Sequence, residues 1–124
     1  MDFREDRAIY LQIADLFTEN ILLGKWNPED RIPSVREMAV SIEVNPNTVM
    51  RTFNYLQEKR IIFNKRGIGY FVSPDGLEKT KTLQKEEFVD NELPKLFKAM
   101  QLLNLSIEDL RIMHEEFLKR SMNI

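Results

Sequence analysis

Ile32-Pro33-Ser34-Val35-Arg36-Glu37-Met38-Ala39, followed by Val44-Asn45-Pro46-Asn47-Thr48-Val49, is the stretch whose reading decides the fold. Ser34 and Glu37 have the spacing of a capping box, in which the serine oxygen takes an orphan backbone N–H and the glutamate reaches back to the cap. Val35, Met38, Ala39 and Ile42 then recur at helical spacing and make one apolar face. Glu43-Val44 is the turn. Asn45 is a strong N-cap, and Pro46 stands at the first helical position, where its missing N–H costs nothing. The second helix has Val49, Phe53 and Leu56 on its inward face and Asn47, Arg51 and Asn54 on the opposite one. Two short helices across a tight turn, the second apolar behind and hydrogen-bonding in front, are a helix-turn-helix.

On the N-terminal side, residues 7–23 read as a helix with Ile9, Ile13, Leu16, Phe17 and Ile21 on one stripe. Asp6 is its expected N-cap and Gly24 its stop. Trp26 is expected under the following turn, Asn27-Pro28-Glu29-Asp30, and Arg31-Ile32 as a short strand. On the C-terminal side, Ile61-Ile62-Phe63-Asn64-Lys65 and Tyr70-Phe71-Val72 flank Arg66-Gly67-Ile68-Gly69, which predicts a hairpin. A hairpin directly after such a helix is the wing of a winged helix. Its tip carries Lys65 and Arg66 beside two glycines, which permit close backbone approach to a phosphate or a minor groove.

Ser73-Pro74-Asp75-Gly76 is a breaker cluster and the expected domain boundary. Beyond it Leu93, Leu96, Phe97, Met100 and Leu103 form an apolar stripe, with a break or kink expected near Glu92-Leu93, ahead of Pro94. Ser106 and Asp109 resemble a capping box for a last helix, whose one face carries Ile107, Leu110, His114, Phe117 and Leu118. A tail of this size cannot bury two or three apolar helix faces alone. It must pack on the first domain or on a partner, and a second copy is the commonest partner. The expected class is mainly α with a small β-wing: residues 1–75 a winged helix-turn-helix, 76–124 a helical tail.

The 124 residues carry 43% hydrophobic and 31% charged side chains, enough for a core in one main domain. The absence of cysteine excludes disulfides and thiolate metal sites and points to a cytoplasmic setting. No apolar run reaches the roughly 18 residues of a membrane span, and the start Met1-Asp2-Phe3-Arg4-Glu5-Asp6 is too charged for a signal peptide. The net charge of −2 alone argues against a nucleic-acid partner. Its distribution argues for one: from Asn45 to Gly67 stand Arg51, Lys59, Arg60, Lys65 and Arg66 against Glu58 only. No catalytic constellation, cofactor loop or metal cluster is legible. The single histidine, His114, reads as a core or interface residue, with a pH- or metal-responsive interface as the sharper reading.

Ile-Pro-Ser-Val-Arg-Glu-Met-Ala, Val-Asn-Pro-Asn-Thr-Val-x-Arg and Arg-Gly-x-Gly-Tyr-Phe-Val together resemble the DNA-binding domain of GntR-type bacterial transcription regulators. The Asn-Pro-Asn-Thr run and the short helical tail resemble the YtrA-type branch. The resemblance covers residues 7–73, and the tail only in length and helical character. It implies a homodimer, joined through the C-terminal helices, that binds an inverted-repeat operator in double-stranded DNA, usually as a repressor. It also implies a tail too small for the metabolite pocket of larger branches, which leaves any small-molecule effector unassigned. Carried over by position, the implied DNA contacts are Arg36, then Asn45, Asn47 and Thr48 with Arg51 one turn on, and the wing glycine Gly69. Many members carry arginine where this chain has Pro46 and Met50, so their base-reading set does not transfer.

The chemistry of these residues agrees with that role. A recognition helix, here about 46–59, presents its N-terminal residues to base edges in the major groove. Asn47 can pair bidentately with adenine and Arg51 with guanine. Arg36 suits a phosphate or a base contact, Asn45 and Thr48 a phosphate contact or helix capping. In the wing, about 61–72, Lys65 and Arg66 suit phosphate neutralisation. The competing reading is a winged-helix protein-interaction module without specific DNA binding. The polar face Asn47-Arg51-Asn54 speaks against it, since a protein-docking helix would show apolar anchors there.

Overall fold

A computed structural model describes residues 7–122. The elements run α1 (Ile9–Leu22), α2 (Val35–Ile42), α3 (Pro46–Glu58), β1 (Ile62–Lys65), β2 (Gly69–Val72), α4 (Gly76–Glu87), a widened π turn (Phe88–Glu92), α5 (Leu93–Leu103) and α6 (Ile107–Met122). The chain divides into two compact units, one up to Gln84 and one from Lys85.

In the first unit, local signals and tertiary burial agree at α2 and α3. The capping box is complete: the Glu37 N–H donates to Ser34 Oγ at 3.1 Å and the Ser34 N–H to Glu37 Oε1 at 3.2 Å. The Ser34 backbone N–H, then its hydroxyl, hold the Glu37 carboxyl below its ordinary range, with Arg31 adding a smaller pull. Glu43 ends α2 in the left-handed conformation at φ 55°. Asn45 then caps α3, its Oδ1 accepting the Asn47 N–H at 2.8 Å, with Pro46 in the first turn. Val49, Phe53 and Leu56 are wholly buried, and Asn47, Arg51 and Asn54 are exposed, as the spacing predicts.

Helix α1 packs its Ile13, Phe17 and Ile21 into the same core. Ile9, expected on that stripe, is exposed, because the helix begins there, ahead of the turns that lie on the core. Ala8 is the N-cap and makes no side-chain cap. The expected cap, Asp6, lies outside the described residues. Trp26 is half-buried and meets the Phe17 ring edge-on at 5.2 Å.

The wing is an antiparallel pair in which Ile62 faces Val72 and Lys65 faces Gly69. The segment before α2 runs along β2: Glu29 N–H donates to the Val72 carbonyl, Val72 N–H to that of Asp30, and Ile32 N–H to that of Tyr70. The strand expected at Arg31-Ile32 is reduced to a single bridge, Arg31 with Phe71. Glu29, at φ 70°, turns the chain out on one side, and Pro33 has no N–H to continue the ladder on the other.

The turn expected at Ser73–Gly76 forms, and the compact unit that holds the wing runs on past it. Gly76 is buried, and a Cβ on it would stand 2.8 Å from both the Ile61 carbonyl oxygen and Val72 Cγ1. This glycine therefore seats the start of α4 against the wing rather than freeing a linker. Along α4 Leu77 and Leu83 pack on the core, Thr80 is wholly buried, and the Gln84 amide donates to Thr18 Oγ1 at 2.9 Å. The first unit accordingly continues to Gln84.

In the second unit the helix is irregular where a break or kink is expected, near Glu92-Leu93, and runs on without stopping. It opens into the π turn just before Pro94, whose ring cannot be fitted to regular α spacing. Asn104, left-handed at φ 55°, ends α5. The Ser106–Asp109 capping box forms in both directions, at 2.9 and 3.0 Å. Of the α5 stripe Met100 is buried, while Leu96, Phe97 and Leu103 are exposed. In α6 Ile107, Phe117 and Leu118 are exposed too, and so is His114.

Candidate nucleic-acid interface

Two groups of side chains make up the candidate interface. The first lies on the opening turns of α3. Asn45 spends its side-chain oxygen on the cap, which leaves its amide N–H pair available to an anion. Asn47 is exposed two residues on. Thr48 is half-buried. Arg51 is exposed, and its guanidinium lies over the Tyr10 ring of α1, 4.0 Å from the centroid. Arg36 is exposed on the first turn of α2.

The second group is the wing tip. Lys65 ends β1 with its Nζ 4.6 Å from the centroid of Phe71 and 5.8 Å from that of Phe63, which stack on each other at 5.7 Å. Arg66 begins the turn, Gly67 supports it at φ 78°, and Ile68 follows as an exposed apolar residue. Gly69 is in β2, not in the turn, at φ 146°.

The groups are tied together from behind. Phe53, on the buried face of α3, meets the Tyr70 ring of β2 edge-on at 4.7 Å and Phe17 of α1 at 5.2 Å. Edge-to-face packing of this kind fixes orientation as well as burying area. The spacing between the recognition helix and the wing is thus set by the core, and among the described residues no hydrogen bond or ion pair joins their polar tips.

Arg31 is a cation that the sequence reading did not assign to the interface. It is exposed, and its guanidinium lies against Gly69: a Cβ there would stand 3.0 Å from Arg31 Nε and 3.4 Å from Nη2. The short-strand signal at Arg31-Ile32 marks the segment as extended, but no spacing rule says what it pairs with or which wing residue Arg31 meets. Gly69 therefore serves two needs, a left-handed backbone and room for the arginine. Gly69→Ala is expected to cost about 1–3 kcal/mol through strain at that position, read as a lower urea midpoint with an unchanged slope. An alanine variant as stable as the parent would show that the arginine and the backbone relax freely.

The geometry offers base-edge donors and acceptors on a rigid helix, flanked by cations on a hairpin. That is the pattern of a duplex reader, with positioning and reading groups on separate elements.

Comparison with known proteins places the chain beside a family of regulators. The family model "Bacterial regulatory proteins, gntR family" matches residues 9–72. The HTH-type transcriptional regulator YhcF of Bacillus subtilis is 34% identical over 110 residues, covering 87% of this chain and 88% of its own. The HTH-type transcriptional repressor YtrA of the same organism is 37% identical over 91 residues, 70% of each chain. A crystal structure of a GntR-family regulator from Bacteroides thetaiotaomicron superposes with a TM-score of 0.79 at 46% identity, covering 92% of this chain and 99% of that one.

Proposed function

The chain belongs to the gntR family of bacterial regulatory proteins, and from that premise we propose that it is a homodimeric repressor that reads an inverted-repeat operator. The observation that carries this reading is the division of α3: Val49, Phe53 and Leu56 wholly buried, Asn47, Arg51 and Asn54 presented to solvent without an apolar anchor among them. Such a face is built of hydrogen-bonding side chains whose donors and acceptors suit base edges.

In this reading Asn47 and Arg51 contact bases. Asn45, Thr48 and Arg36 hold the backbone of the duplex, and Lys65, Arg66 and Arg31 neutralise phosphates around the wing, where Gly69 lets the hairpin and Arg31 fit closely. The repressor sense comes from YtrA, the relative so described. The dimer is supported by the second unit, which leaves Phe97, Leu102, Leu103, Ile107, Phe117 and Met122 exposed, more apolar surface than a solitary helical tail keeps in water.

The test is selection of sites from randomised duplex DNA, then titration of the enriched site against salt. An enriched inverted repeat is expected, with half-sites about one helical turn (~34 Å) or a multiple apart. Arg51→Ala is expected to lose about 1–3 kcal/mol on that site and little on random duplex. Equal losses on both would remove Arg51 from the base-reading set. No enrichment, with binding that vanishes near physiological salt, would overturn the operator reading.

A further inference from the structure

Arg51 does not hang free from α3. Its guanidinium carbon is 4.0 Å from the centroid of the Tyr10 ring, and among the described residues its N–H groups find no acceptor. Tyr10 is itself held by α3 at two further points. Its ring meets Tyr55, one turn beyond Arg51 on α3, edge-on at 6.0 Å. Its carbonyl accepts the hydroxyl of wholly buried Thr52 at 2.7 Å, which pins the start of α1 to the middle of α3. Lys59 Nζ lies 5.7 Å from the centroid of the Tyr55 ring, so a cation, two rings and a second cation run in series along α3.

We propose that Tyr10 is a positioning residue for base recognition, holding the Arg51 guanidinium by its face so that its N–H edge meets the duplex already ordered. The inference rests on the reading of Arg51 as a base contact. The two interactions do not compete. A cation over a ring uses the π face of the guanidinium, whereas bidentate recognition of a base uses donors in its plane. An arginine loses much rotamer freedom when it docks, and a ring that has already removed part of that freedom lowers the cost of reading the base. Tyr10 lies on α1, outside both the helix-turn-helix and the wing, so it shapes specificity without touching DNA.

The experiment uses the full chain, the selected site, and the same site substituted at the one base pair whose preference Arg51→Ala abolishes. Tyr10→Leu and Tyr10→Met, which fill the space without a ring, are expected to lower discrimination at that pair by about three- to fivefold, with Tyr10→Phe restoring it. In an Arg51→Ala background the same changes should leave affinity for the selected site where it stands. In the free protein the Arg51 Nε–H resonance should carry a ring-current shift that Tyr10→Phe keeps and Tyr10→Leu loses.

Equal loss of affinity on cognate and random duplex, with discrimination intact, would mean that Tyr10 only supports the fold, and the proposal falls. It falls also if Tyr10→Leu lowers affinity for the selected site equally with and without Arg51. If Arg51→Ala abolishes no preference, the base-reading role itself has failed and takes the proposal with it. An intact ring-current shift then shows that the packing was right and the recognition wrong.

Discussion

Phe53→Ala is expected to remove about 3–5 kcal/mol of stability from the first unit and to abolish DNA binding with it. Phe53 is wholly buried on α3 and is the ring on which Phe17 of α1 and Tyr70 of β2 both close, at 5.2 and 4.7 Å. Truncation forfeits the transfer energy of the ring and leaves a cavity between a helix and a strand that cannot both collapse into it. Against a typical total of about 5–15 kcal/mol, such a loss brings the folded state near its limit. Urea denaturation followed by far-UV dichroism measures it. Asn54→Ala, one residue on and exposed, is the control, with an expected effect within about 0.5 kcal/mol. A Phe53→Ala protein that unfolds at nearly the parent midpoint would show that the wing and the recognition helix are not held through this ring.

The same ring explains what the sequence could and could not disclose. The helix-turn-helix was legible because its signals are local: Ser34 and Glu37 three residues apart, Asn45 before Pro46, and apolar residues at helical spacing. Each works within one or two turns, and the structure realises each one. Edge-to-face contacts among Phe17, Phe53 and Tyr70 join residues far apart in the chain, and no periodicity marks them. The stacking of Arg51 on Tyr10 and the lodging of Arg31 against Gly69 are hidden for the same reason.

Gly76 shows a strong local signal whose tertiary meaning the sequence leaves open. Ser-Pro-Asp-Gly does turn the chain. But the absent Cβ of Gly76 is needed for close packing, since a side chain would strike the Ile61 backbone and Val72. A glycine in sequence does not say whether it is there for freedom or for space.

Replacing both Phe97 and Phe117 by glutamate is expected to leave the monomer folded, dissociate the proposed dimer and lower affinity for a two-half-site operator by about a hundredfold or more. The magnitudes come from where these rings stand. Phe97 is 50% and Phe117 58% exposed in the single chain, so a charge at either position costs the monomer little. Within an interface the same two charges on each protomer would lose their water without gaining partners, a penalty large enough to outweigh what the remaining apolar residues contribute. Once the protomers part, the second half-site is no longer presented at the high effective concentration that tethering gives, and each unit binds alone. Affinity for an isolated half-site and for random duplex should then be unchanged, which separates loss of pairing from damage to the reading surface. Sedimentation velocity over a range of concentrations, paired with anisotropy titrations on whole and half operators, reads both effects. If the double variant still sediments as the parent dimer, the exposed faces of α5 and α6 are not what joins the copies. If the parent is itself a monomer at the concentrations where it binds, the inverted repeat must be filled by independent chains, and the steep dependence on these two rings disappears.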